Sequence, residues 1–236
     1  MHALIFAAGK GERMRPLTEH TPKPLLRVGG KMLIEWHLEK LADIGVSTVV
    51  INTSWLADCF EPALGDGSRW GLRLIYSYEG PEPLETGGGM AKALPHLGTE
   101  PFIAVNGDVF CDADFALLPK QPDAIAHLLM VANPEHNPGG DFALQADGRL
   151  ASDGVERLTF SGIGMYRPEL LLRCQSQWRQ VGIAHPRFKL APILRQAMHE
   201  GLVTGALHSG LWTDVGTPER LAALDAALRS GPRQPG

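Results

Sequence analysis

The chain has 236 residues, 44% hydrophobic and 20% charged, which suits one full-sized globular core. Its 26 acidic and 22 basic residues leave a formal net charge of −4, excluding a global basic field for nucleic acid. No apolar run approaches the roughly 18 residues that span a bilayer, and Cys59, Cys111 and Cys174 are scattered without metal spacing, as in a reducing cytosol.

Ala3 to Ala8 is an apolar run, too short for a helix and bounded by Gly9. It reads as a buried parallel strand, so no signal peptide is expected and the protein is placed in the cytoplasm. The strand opens into a loop holding Gly9, Lys10, Gly11, Arg13, Arg15 and Lys23. Glycines let backbone N–H groups approach a ligand, and a cationic glycine loop after a buried strand is how α/β proteins hold phosphates. Gly11 follows Lys10 where a P-loop needs Ser or Thr, and Met14 stands at the third glycine of the dinucleotide fingerprint. The loop by itself therefore reads either as an anion site or as a surface turn with solvated charges.

Residues 32–41 carry helical periodicity, stopped by Gly45, and 48–52 form a second buried strand. A helix over 55–64 and a strand over 72–77 complete a β-α-β-α-β order. That order predicts right-handed crossovers, a parallel sheet and a ligand at the strands' carboxyl ends. Next, a proline-rich loop leads through Gly87-Gly88-Gly89 into a helix ending at Leu94. Such a turn can press backbone on a flat ring with Glu85 at its edge. A carboxylate only accepts, so it suits N3–H of uracil or thymine or N1–H of guanine, and repels N1 of adenine. A glycine hinge with an exposed Glu is the alternative.

Residues 101–105 form a strand that runs into Asn106-Gly107-Asp108. Its carboxylate would face the crevice beside the phosphates, where Mg²⁺ takes one or two carboxylates plus phosphate oxygens. An Asx-turn aspartate is the alternative. Asp112 and Asp114 read as caps of a helix near 115–118. The second half is less regular. Strands are expected over 124–132, 158–166 and 203–207, with a hairpin turn at Asp147-Gly148. Helices are expected over 188–201 and from Thr217-Pro218 onward. His136 and His185 lack partner motifs and read as surface residues, and 230–236 as a disordered tail.

The whole stretch Ala7–Leu25, AAGKGERMRPLTEHTPKPL, resembles the (A/G)GxGxRxxPLTxxxPKPL segment of sugar-phosphate nucleotidylyltransferases. Residues 158–166 resemble that family's (T/N)xGxY segment, and Trp212–Leu221 its W-x-D-x-G-T-x-x-x-L segment. The resemblance implies an α/β, three-layer Rossmann-like nucleotidyltransferase (GT-A-like) fold with a mixed, mostly parallel central sheet. It implies one domain over 1–229, with 1–110 mainly nucleotide-binding and 111–229 mainly sugar-binding. It implies that Ala8, Gly9, Gly11 and Glu12 wrap the triphosphate, that Arg13 contacts the β/γ-phosphates and that Lys23 reaches the α-phosphate or sugar phosphate. Glu85 and Gly88 would hold the base, and Asn106, Asp141, Gly162 and Lys189 the sugar. Asp108 and Asp214 would share one Mg²⁺, with Arg13, Lys23 and Asp108 as the catalytic set.

The implied reaction joins a sugar 1-phosphate to a nucleotidyl group and releases pyrophosphate. A phosphate monoester is already ionised at neutral pH, so no general base is required. LETGGG, VNGDV, Asp141-Phe142 and FKLAP resemble the small uridylyltransferases that act on N-acetylmuramate 1-phosphate in peptidoglycan recycling. UTP and that sugar phosphate are then the expected substrates. Neither nucleic acid nor membrane is expected as partner, and the chain is expected as a monomer or small homo-oligomer. Lys189, Arg187 and Arg149 are the candidates for the sugar's carboxylate. Two alternatives remain. One is a mannose 1-phosphate guanylyltransferase, from whose LGTAGA-type loop Glu85 and Gly88 depart. The other is a non-catalytic nucleotide-sugar-binding subunit, against which the presence of Arg13, Lys23, Asp108 and Asp214 speaks.

Overall fold

In strand β1 (His2–Phe6), Ala3 and Ile5 pack into one apolar cluster and Leu4 into another, all fully buried. A strand apolar on both faces must lie inside a sheet covered on both sides. In the computed structural model, which describes residues 1–173 and 186–230, β1 holds that place. The readings of Cys174, His185 and residues 231–236 fall outside the described residues.

The further strands are β2 (Arg27–Val28), β3 (Lys31–Met32), β4 (Thr48–Thr53), β5 (Arg73–Tyr78), β6 (Phe102–Asn106) and β7 (Val109–Cys111). They continue with β8 (Ala126–Val131), β9 (Ala143–Leu144), β10 (Leu150–Ala151), β11 (Thr159–Tyr166), β12 (Val203–His208) and β13 (Trp212–Asp214). The seven-stranded sheet has the order β12-β8-β11-β6-β1-β4-β5. β11 alone runs antiparallel to its neighbours, β6 and β8. The sheet is thus mixed and mostly parallel, as expected. Helix α1 (Leu33–Asp43) covers one face through Ile34, Leu38 and Leu41. Helices α3 (Glu85–Leu97) and α4 (Leu190–His199) cover the other through Met90, Ala93, Leu190 and Leu194. The 147–148 turn joins β9 and β10 as a hairpin.

Two local expectations change. Residues 55–64 hold a 3₁₀ turn over Ala57–Cys59 and the short helix α2 (Phe60–Leu64) rather than one helix, and Leu56, in the left-handed region at φ 51°, keeps the helical run from starting before Ala57. The three glycines lie inside α3 instead of preceding it. Their φ values are not left-handed, so their role is room. A Cβ on Gly87 would lie 2.3 Å from the Phe188 ring, on Gly88 2.3 Å from Pro186 O, and on Gly89 2.3 Å from Glu79 Oε1.

Outside the main sheet, β7 pairs antiparallel with β13, setting Asp214 opposite Val109. The Val215 N–H donates to Asp108 O at 2.8 Å, which extends the pairing to Asp108. Helix α5 (Pro218–Ser230) packs behind this ribbon, where Met14, Val28, Leu33, Phe110, Val215 and Leu224 form a third apolar cluster. Met14, fully buried there, fastens the glycine loop to the body with roughly 1.5–3 kcal/mol of burial.

His37 of α1 is wholly buried, and its Nε2–H donates to Val109 O at 2.8 Å. Burial depresses its pKa to about 4. An unfolded chain takes up this proton below about 6.5, whereas the folded one resists it down to about 4. Stability should therefore fall as pH drops through that interval, by up to about 3 kcal/mol. Urea unfolding at pH 4–7 checks this: His37→Gln keeps a donor for Val109 and should flatten the wild-type slope over that window.

Candidate active site

A cavity of about 760 Å³ opens at the carboxyl ends of the parallel strands. Phe6 and Ala7 from the end of β1, Asn52 from β4, Asn106 from β6 and Glu79 just beyond β5 line its floor. One wall is the glycine loop, Ala8 to Met14. Gly11 adopts φ 63° and starts a 3₁₀ turn over Glu12–Met14, and the Thr18 hydroxyl donates to its carbonyl at 2.8 Å. A Cβ on Gly9 would meet no protein atom within 4 Å, so this glycine leaves space on the cavity side and not in the core.

Cations are concentrated on this cavity. Lys10, Arg13, Lys23 and Arg187 all line it. Lys10 Nζ lies 3.2 Å from Glu82, Lys23 Nζ 2.8 Å from Asp108 Oδ2, and Arg187 3.7 Å from Glu85 Oε1. Arg13 forms no ion pair among the described residues and is exposed on the loop wall. An arginine held open beside a glycine cradle and a helical turn is a ready anion contact.

Asp108 follows β6, and its carboxylate, about two-fifths exposed, faces the cavity. Asp214 is brought beside it by the β7–β13 pairing but does not itself line the cavity. Arg220 and His136 both contact Asp214 Oδ1, the latter at 2.9 Å. His136 is therefore a partner of the candidate metal carboxylate and not an idle surface residue. Asp214 Oδ2 lies on the side of cavity-lining Gly216, where a Cβ would come within 3.0 Å of it. Two carboxylates on adjacent backbones, one open and one with an oxygen toward the cavity wall, suit a hard divalent cation.

The loop before α3 is organised by two residues that the sequence reading did not single out. Asn52 Oδ1 accepts from Ala7 N–H at 2.6 Å, and Asn52 Nδ2 donates to Glu79 Oε1 at 2.6 Å. Glu79 Oε2 accepts from Leu84 N–H at 2.7 Å. Glu79 is buried, which raises its pKa. This chain of bonds ties the glycine loop to the segment that begins α3. The signal was the one that found Asp108, a polar side chain at the carboxyl end of a buried strand. Glu85 lines the cavity and holds φ 65°, a left-handed conformation at a non-glycine residue.

Ala8, Gly9, Gly11, Glu12, Arg13, Lys23, Glu85, Asn106 and Asp108 meet around the cavity. Besides Asp214, four expected contacts do not line it. Gly88 is filled against Pro186 O and the Leu84 side chain, so its missing side chain serves packing. Gly162, at φ 82°, abuts the side chain of Asn106, which itself lines the cavity. Asp141 spends Oδ2 on Phe160 N–H at 2.9 Å, steadying the irregular start of β11. Lys189 is exposed on the residue before α4, and of the three cations considered for a carboxylate only Arg187 lines the cavity. Asp112 is not a cap, because it pairs with His208, whereas Asp114 caps the 3₁₀ turn at Phe115–Leu117 through Ala116 N–H.

A sequence profile described as nucleotidyl transferase matches residues 2–142. N-acetylmuramate alpha-1-phosphate uridylyltransferase from Neisseria meningitidis is 48% identical over 96% of this chain and 97% of that protein. The protein of the same description from Caulobacter vibrioides is 34% identical over 96% of each. In fold, the chain matches a crystal structure from Bacillus anthracis, described as a putative glucose-1-phosphate thymidylyltransferase, with TM-score 0.82 at 19% identity, over 100% of this chain and 98% of that one. Profile, full-length relatives and sheet order agree, and the chain belongs to the nucleotidyl transferase family.

Proposed function

We infer that the protein transfers a uridylyl group from UTP to N-acetylmuramate 1-phosphate, giving the UDP-sugar and pyrophosphate. The observation that carries this reading is one cavity in which the exposed Arg13, the glycine wall and the Lys23–Asp108 pair converge. The full-length relatives from Neisseria and Caulobacter support the choice of base and sugar.

The chain's own residues position and neutralise. Gly9, Gly11 and Arg13 hold the β- and γ-phosphates that leave together. Lys23, beside Asp108 on the same cavity, meets the α-phosphate, whose phosphorus is attacked in line by an oxygen of the sugar phosphate. That oxygen is already ionised, so the site needs no base beside it. Asp108 and Asp214 would hold magnesium, which supplies further neutralisation of phosphate charge. Glu85 accepts the N3–H of uracil, and Asn106 faces the sugar. Arg187 is the cavity's cation for the sugar's carboxylate.

Removing one such contact should raise the barrier by roughly 3–4 kcal/mol, a rate loss of about 10²–10³. Asp108→Asn should keep its melting temperature while pyrophosphate release falls by that factor; near-normal turnover would overturn the role. Glu85→Gly tests the base reading through its left-handed backbone. Glycine tolerates that conformation, so the variant should gain about 1 kcal/mol of stability and lose its preference for UTP over ATP, whose N1 offers no N–H to a carboxylate. Unchanged discrimination in kcat/KM would remove Glu85 from base recognition. A pyrophosphate-release panel crossing four nucleoside triphosphates with several sugar 1-phosphates tests the whole reading. UTP with N-acetylmuramate 1-phosphate should be fastest, and activity confined to GTP with mannose 1-phosphate would reverse it.

A further inference from the structure

Away from the nucleotide cavity, Cys111, Asp112 and His208 gather one sulfur, one oxygen and one nitrogen within 4.8 Å of one another. We propose that these three side chains form a second metal site, selective for a borderline transition ion of the zinc class. Neither its position nor its chemistry is that of the Asp108–Asp214 pair, whose all-oxygen set suits a hard cation.

The trio is assembled by tertiary structure. Cys111 ends β7, Asp112 follows it, and His208 ends the edge strand β12. His208 Nε2 already sits 2.7 Å from Asp112 Oδ1. The turn after β12 is shaped around this pair. Asp112 N–H donates to Leu211 O at 2.9 Å, and a Cβ on Gly210 would lie 2.3 Å from Asp112 Oδ1 and 2.6 Å from the His208 ring. On the other side, the Lys40 ammonium donates to Cys111 O at 2.9 Å and to Ala113 O at 2.7 Å. The backbone that presents Cys111 and Asp112 is thus clamped from both flanks.

Donor chemistry and exposure fit. A thiolate, an imidazole and a carboxylate are the three protein ligands of an open tetrahedral zinc-class site, with water in the fourth position. Cys111 forms the buried wall, whereas the Asp112 carboxylate is about half exposed, leaving an entry path. Burial holds the Cys111 thiol protonated in the metal-free protein. Metal binding releases that proton to solvent and takes His208 as neutral imidazole. The ionised thiolate and carboxylate then carry two negative charges, against one positive charge on Lys40 and two on the ion. Occupancy would clamp β12 onto β7, the strand that continues directly from Asp108.

The test uses the full chain stripped of metal by chelation, with Co²⁺ as spectroscopic probe and Zn²⁺ for affinity and melting temperature. Wild type should show a thiolate-to-cobalt charge-transfer band and a rise in melting temperature with Zn²⁺. Cys111→Ser should lose the band. His208→Gln should weaken Zn²⁺ binding at least about 10-fold and abolish the melting shift. Cys59→Ser/Cys174→Ser and Asp108→Asn should each keep the band. No band in wild type, a band lost in either of these controls, or Zn²⁺ affinity unchanged in His208→Gln would overturn the site. Melting of the metal-free variants confirms that each is folded, and if Cys111→Ser fails that check, His208→Gln and the two controls decide.

Discussion

The antiparallel pairing of Val109–Cys111 with Trp212–Asp214 is the constraint on which the site depends. It is only three residues long, yet it sets side by side two aspartates from distant parts of the chain. So short a ribbon is marginal on its own. Its stability is borrowed. His37 bonds Val109 O from inside α1, Trp212 Nε1–H donates to Ser161 O at 2.9 Å in β11, and Phe110 and Val215 pack into the cluster behind. Each anchor comes from a different element, so the carboxylate pair is fixed only when helix, sheet and ribbon are all in place.

The α3 side of the cavity shows how packing trades against local preference. Three consecutive glycines inside α3 cost roughly 2–3 kcal/mol against alanine. What they gain is contact: Gly87 and Gly88 N–H both donate to Phe188 O, at 3.0 and 3.1 Å, and Glu79 reaches past Gly89. The segment 186–189 is thereby pressed onto the start of α3, with Arg187 turned to the cavity. At the head of the same helix the strain runs the other way, with a glutamate where a glycine would be easier. A carboxylate kept in a disfavoured conformation at a cavity wall points to the use of its oxygens.

Most of the fold was legible, and so was the gathering of Ala8, Gly9, Gly11, Glu12, Arg13, Lys23, Glu85, Asn106 and Asp108 around one cavity. Apolar runs bounded by glycine located β1, β4 and β6, and the same logic placed Asp108 at a strand end. The glycine-loop wall was readable because its residues are contiguous, so motif and structure coincide. Legibility failed where function is assembled across the chain. Asp141 and Gly162 carry plausible chemistry but spend it on backbone and on Asn106. Gly88 resembled a base platform, yet the room it leaves is taken by Pro186, a neighbour about a hundred residues later. Asp112 looked like a cap because its true partner, His208, lies on another strand. Glu79 and Asn52 were missed because a buried polar bridge has no spacing of its own.

The ion pairs around the cavity carry a consequence for the order in which its ligands arrive. Lys23 is matched with Asp108, Lys10 with Glu82 and Arg187 with Glu85, so most charges facing the substrates are already balanced. A polyanion arriving alone would draw off the lysines and leave carboxylates facing phosphate. A dication arriving alone would draw off Asp108 and leave Lys23 facing like charge. Only a neutralised unit, anion and cation together, exchanges every internal pair for an external one without stranding a charge. The resting charge pattern thus works as a counting device, favouring a ligand that brings both signs of charge over a bare polyanion or a bare cation.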